Sequence, residues 1–142
     1  MTYNKLYDII NVVMQELNTN ESSMTEPETG TWNFQVQDIS GQVVLQQNEE
    51  DDLLTVFMYL FVVPIPTQNQ AAFYEELLRF NAVNPFIKYA LHETYALVTI
   101  TFQEFSFFTK EFFTLVVRRY LTFAAESRAD LGTRYFDFSQ EG

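Results

Sequence analysis

Residues 53–66 read LLTVFMYLFVVPIP. From Leu53 to Val63 only Thr55 interrupts an apolar run rich in β-branched and aromatic side chains, the composition that packs well on a pleated surface. Pro64 and Pro66 lack the amide proton that continued strand pairing needs. A strand apolar at almost every position is expected at the centre of a sheet, covered on both faces. The stretch Val56 to Ile65 is too short to cross a bilayer and is interrupted by Pro64, so no membrane partner is expected.

Upstream, Glu49, Glu50, Asp51 and Asp52 form a turn of solvated charges. They lack the alternating spacing and central glycine of a calcium loop. Before them, Val43 to Gln47 reads as a strand returning from a reversal at Ser40 and Gly41. Trp32, Phe34 and Val36 alternate with Asn33, Gln35 and Gln37, as in a half-buried strand. At the start, residues 3–17 place Leu6, Ile9 or Ile10, Val13, Met14 and Leu17 at three- and four-residue spacings, an amphipathic helix. Between helix and strand, the acidic segment 18–30 reads as a flexible surface loop. Ser22 and Ser23 within it are open to modification.

Downstream, Asn69 is placed to cap a helix over Gln70 to Phe80 with Phe73, Leu77 and Phe80 inward, and Glu75 and Arg79 as an exposed pair. Phe86 to Leu91 and Tyr95 to Gln103 read as strands joined by a turn at His92, Glu93 and Thr94. Thr109 is the expected cap of a last helix, with Phe108 and Phe113 stapled across it. That helix should run from Lys110 to about Asp130 and stop near Gly132, leaving a tail over 133–142 that either frays as a mobile end or docks through Tyr135, Phe136 and Phe138. The order helix, three strands, helix, two strands, helix implies one α+β domain spanning 1–142, an antiparallel sheet packed against helices.

The chain of 142 residues carries 19 Asp or Glu against 8 Lys or Arg, a net charge of -11. Ten of the acids and one base fall in residues 1–52. Duplex nucleic acid, which needs a cationic patch to displace counterions, is not an expected partner. With no cysteine and one histidine, thiolate chemistry, disulfides and multi-histidine metal centres are excluded. The four glycines form no phosphate cradle. No cofactor or metal is expected. The opening residues lack a basic region followed by an apolar segment and a cleavage site, so the expected location is cytoplasmic. His92 beside Glu93 lacks a third positioned group, and reads as a surface turn.

The apolar fraction is 47%, and aromatic residues make up 17%. On the last helix Glu111, Thr114, Arg118 and Thr122 form a narrow polar stripe. Phe112, Phe113, Leu115, Val116, Val117, Tyr120, Leu121, Phe123 and Ala124 wrap the rest. A helix on one sheet needs about a hundred degrees of apolar surface, and this one carries more. The excess is expected to face another helix, a second subunit or a polypeptide ligand. Phe105, Phe107 and Phe108, just before this helix, are candidates for the same interface, where aromatic rings add area at low rotamer cost. Phe112, Val116, Tyr120 and Phe123 join them, and Arg119 is a candidate anchor for an interface carboxylate.

These elements, from the opening helix through LLTVFMYLFV, AAFYEELLRFN and FIKYALHETYALVTI to the closing helix, resemble the class I type III secretion chaperones of the Tir-chaperone kind and, equally, the YbjN-like domains. The resemblance spans roughly 3–130. It implies an α/β sandwich, commonly dimeric, without catalysis or cofactor, in which chaperone members hold an extended effector segment on apolar surfaces. It further implies that the first helix and the strands Trp32 to Val36, with Phe34 and Val36, and Val43 to Leu45 lie near the partner groove. The last helix and the final strand pair would support self-association. The expected function is a noncatalytic protein-binding domain, chaperone-like or adaptor-like, acting as a homodimer. A YbjN-like dimerisation domain without a client is the alternative. A carboxylate-dependent enzyme is a third reading, and requires two of Glu93, Glu104 and Glu111 to converge in a closed pocket.

Overall fold

The computed structural model describes residues 1–18, 22–24, 30–85, 87–103 and 105–136. Its centre is the strand read above, Leu54–Pro64 (β4), hydrogen-bonded on one side to Ile39–Gln47 (β3) and on the other to Tyr95–Phe102 (β6). Thr31–Val36 (β2) and Ser22–Met24 (β1) extend the sheet beyond β3, and Lys88–His92 (β5) pairs outside β6. All neighbours in this six-stranded sheet, β1-β2-β3-β4-β6-β5, are antiparallel. Among the described residues three helices complete the α+β fold: Tyr3–Asn18 (α1), Gln70–Val83 (α2) and Lys110–Phe136 (α3).

The core lies between the helices and one face of the sheet. Directly paired residues share a face, and Trp32, Val43, Met58 and Ile100 form one such row. Phe34, Gly41, Leu60, Val98 and Tyr89 form the next. Each helix reaches this same face. From α1, Asn11 Oδ1 accepts the Trp32 indole N–H at 3.2 Å and Tyr7 packs on the Trp32 ring. From α2 and α3, Phe80 and Phe123 pack on Tyr89. The expectation that β4 is covered on both faces is therefore corrected: among the described residues, the helices cover one face only.

Local signals at α3 hold. Thr109 Oγ1 accepts from the Phe112 amide at 3.1 Å, and the Phe108 and Phe113 rings lie 5.1 Å apart across the cap. Elsewhere tertiary packing overrides the local reading. The β2–β3 reversal is the pair Gln37 and Asp38, with Gln37 at φ 53, rather than Ser40 and Gly41. Gly41 instead sits inside β3 opposite Phe34, where a Cβ would come within 2.4 Å of the Phe34 ring, so its role is close approach. Asn69 precedes α2 in a left-handed conformation without a side-chain cap bond.

Gly132 does not end α3. It is buried inside a helix that continues to Phe136, because Arg134 and Tyr135 engage Glu76 of α2 and Tyr135 packs on Phe73. Segment 18–30, read as loop throughout, contributes β1 at Ser22–Met24; its residues 19–21 and 25–29 lie outside the described residues, as do Phe86, Glu104 and the tail from 137.

Candidate functional site

The closing helix turns inward on a narrow stripe: Phe113, Val117, Tyr120, Ala124, Ser127 and Leu131 recur at alternating four- and three-residue steps and are buried. A seam of that width leaves part of the apolar circumference over. Phe123 is half-buried against Phe80, Val116 is half-buried, and Tyr120 faces the core. Arg119 is exposed. Phe112 and Leu115 stay 38% and 47% exposed.

Phe112 belongs to a corner built from the run 102–113. The rings of Phe102, Phe105, Phe108, Phe112 and Phe113 interlock, with Phe102 to Phe108 at 5.5 Å, Phe105 to Phe108 at 5.6 Å and Phe108 to Phe112 at 6.2 Å. Most of these contacts are edge-on, the arrangement ring quadrupoles favour. Phe105 and Phe108 are buried there, so the structure assigns them to the core side of the corner. Phe107, between them in sequence, is 83% exposed. Of the candidates grouped near Phe105, Phe107 is the one presented to solvent.

Phe34 is buried against Gly41 and faces the helices. Val36 is half-buried and, with Ile39, Leu121 and Ala125, lines a cavity of about 610 Å³ between the β2–β3 turn and α3, rimmed by Asp38 and Glu126. Val36 is thus set apart from the Phe107 corner, which precedes the first turn of α3, whereas the cavity is lined by α3 between Leu121 and Ala129.

The second surface was not singled out in the sequence. On the face of the sheet away from the helices, Phe57 stands between Val44 and Thr101, Tyr59 between Gln42 and Thr99, and Phe61 between Ser40 and Leu97. Phe57 and Tyr59 stack at 6.0 Å with nearly parallel rings, and Phe61 meets Tyr95 edge-on at 5.9 Å and His92 at 6.4 Å. Neighbour packing half-buries all three β4 aromatics, and burial raises the Tyr59 phenol above its ordinary value. A signal was present: within the apolar run, aromatic Phe57, Tyr59 and Phe61 alternate with aliphatic Val56, Met58, Leu60 and Val62. That period of two separates a ring-bearing face from an aliphatic one.

The outer edge of β5 is closed by α2. The Tyr89 amide donates to Asn81 Oδ1 at 2.8 Å, and Asn81 Nδ2 donates to the Tyr89 carbonyl at 2.9 Å. One carboxamide thereby satisfies both main-chain groups that an adjoining strand would have used. Asn84 Oδ1 accepts from the Ile87 amide at 2.9 Å, and Lys88 Nζ donates to the Asn81 and Asn84 carbonyls at 2.6 Å each, capping the helix end. Strand addition is therefore blocked at Ile87 and Tyr89.

Of the acids named for a carboxylate-dependent site, the two among the described residues do not converge. Glu93 sits in the β5–β6 turn and Glu111 in the first turn of α3, both exposed, and Glu104 lies outside the described residues. Among the described residues no three of His, Cys, Asp and Glu could together hold a metal ion. A group of linked charges joins α2 to α3: Arg134 Nη1 donates to Glu76 Oε2 at 2.7 Å, a second Arg134 donor reaches Glu76 Oε1, and Tyr135 donates to Glu76 at 3.0 Å. The guanidinium holds the Glu76 carboxyl below the usual carboxylate range, and Glu76 and Asp130 push the Arg134 pKa up. No helix is long and apolar enough to cross a membrane among the described residues. No protein-family model matches the chain, and a search of curated proteins returns no match.

Proposed function

We propose that this chain is a noncatalytic protein-binding domain, chaperone-like or adaptor-like, that holds a partner polypeptide on an apolar surface. The observation carrying this reading is Phe107, 83% exposed and next in sequence to Phe108 of the ring cluster, with Phe112 and Leu115 of α3 also open to solvent. A large exposed ring next to a rigid aromatic base is the form of an anchor that gains its burial from a partner. The -11 net charge keeps such a surface soluble while the partner is absent. The order of helices and strands supports a likeness to class I type III secretion chaperones and to YbjN-like domains; the additional strand Ser22–Met24 and the phenylalanine corner depart from that pattern.

Affinity purification of the tagged chain from its native cell tests this. A stoichiometric polypeptide should remain bound to the natural protein and be lost from Phe107→Ser combined with Leu115→Ser. Recovery of the chain with no bound polypeptide, or equal retention by the double variant, would remove the basis of the client reading. The aromatic sheet face favours a second reading, a dimerisation domain that needs no client.

A further inference from the structure

We infer that the uncovered face of the sheet is a self-association surface, on which a second copy of this chain packs sheet against sheet. This rests on reading the chain as an association domain and names its partner.

Charge selects the occupant. Among the described residues no strand position on this face is Asp or Glu, in a chain that carries 19 of them. The carboxylates lie at the ends of the strands instead: Asp38 and Glu93 in the turns at one end, Glu49 to Asp52 in the turn at the other. Two bodies each bearing -11 can approach closely only through a region without fixed negative charge, because like charges face to face are costly. The basic residues on this face are Lys88 and His92, and Lys88 Nζ is already committed to two carbonyls of α2. The face therefore lacks the free cations that a phosphate backbone would require. What remains is neutral, with the ring row of Phe57, Tyr59 and Phe61 at its centre and Gln, Asn and Thr around it, a composition suited to an apolar middle with a polar rim.

Area and edge geometry agree. Five strands about 4.8 Å apart, and six residue steps of about 3.4 Å along β4, give a face of roughly 24 by 20 Å. Side-chain relief raises that projection toward the ~800 Å² per partner of a standard interface. Extension of the sheet past β5 is blocked at Ile87 and Tyr89 by Asn84 and Asn81, which favours the face over that edge as the meeting place of two copies. Aligned packing of two such sheets would bring Phe57, Tyr59 and Phe61 against their counterparts about 10 Å across.

Light scattering across dilution, with two kinds of variant, tests the inference. The natural chain should have dimer mass at micromolar concentration. Gln42→Glu, beside Tyr59 on this face, should weaken dimerisation at least tenfold at low salt and recover most of that loss in 0.5 M salt, a reversal that a folding defect would not show. Since the chain has no cysteine, Thr99→Cys on the face should be joined between copies by a short bifunctional maleimide, while Arg118→Cys on α3 should not. A monomer at every concentration overturns the inference. So does a dimer that neither Gln42→Glu nor Tyr59→Glu weakens, which places the contact elsewhere, and so does a face occupied by a client instead of a copy. Retention of a polypeptide through Phe107 is read separately in the purification above, so this dimer can fail while the client reading stands, and the reverse.

Discussion

Asn81→Leu is the sharpest perturbation of the fold, because one side chain substitutes for a missing neighbour strand. The replacement keeps the branching at Cγ, with methyl groups in place of the carboxamide oxygen and nitrogen, and removes both bonds to Tyr89, of 2.8 and 2.9 Å. Each such bond contributes ~1 kcal/mol net, and the main-chain groups left facing a leucine in a partly buried place add about 1 kcal/mol between them. Leucine returns about 0.4 kcal/mol through its better helix propensity. The expected loss is about 2–3 kcal/mol, or about 6–9 °C in Tm for a domain of this size. Urea unfolding followed by Trp32, fully buried and the single tryptophan, reads it directly. Asn84→Ala, which removes one bond to Ile87, should cost about 1 kcal/mol. If Asn81→Leu unfolds within 0.5 kcal/mol of the natural chain, the carboxamide does not stand in for a strand and the account of the β5 edge is wrong.

Gly41→Ala should lose about 2–3 kcal/mol in the same assay, since the new Cβ falls within 2.4 Å of the Phe34 ring and 2.8 Å of Leu60 inside a packed core. The neighbours Phe107 and Phe108 should respond oppositely. Phe108→Ala empties a buried ring site and costs about 3–4 kcal/mol, whereas Phe107→Ala changes stability by less than about 0.5 kcal/mol. Equal losses at the two positions would contradict the corner as described. Acid titration should expose Glu76: its carboxyl is held low by Arg134, so the stabilisation is complete above the ordinary carboxylate value and disappears as pH falls through the lowered one. Because the pair is more than a third exposed, that contribution is about 1 kcal/mol or less after solvent screening. Glu76→Gln should flatten this part of the stability profile below about pH 5, and an unchanged profile would show that the bridge adds nothing.

The features read correctly before folding are those written within one or two turns of chain. The α1 stripe of Leu6, Ile10, Val13 and Met14 is buried, and the cap and staple at Thr109, Phe108 and Phe113 form as read. The exposed Glu75–Arg79 pair is present at 2.6 Å. The central place of β4 was also legible, because its composition and terminating prolines are local facts. The Ser40–Gly41 turn and the Gly132 stop were misread because glycine marks two different things. It permits a turn, and it permits close packing, and only the partner across the gap decides which. At Gly41 that partner is Phe34; at Gly132 the helix is held onward by Glu76 and Phe73.

The candidate surfaces divide along the same line. The sequence alone determined that apolar area was in excess and that its carriers clustered in the run 102–113 and on the closing helix. It did not reveal that Phe107 would face water while Phe105 and Phe108 turned in, since the three residues are equivalent until the cluster closes. Nor did it show that all three helices would choose the aliphatic side of β4, leaving Phe57, Tyr59 and Phe61 in a row without a carboxylate beside them. Hydrophobicity is a property each residue carries with it, whereas exposure is what remains after every other element has taken its place, and that remainder exists only in the folded chain.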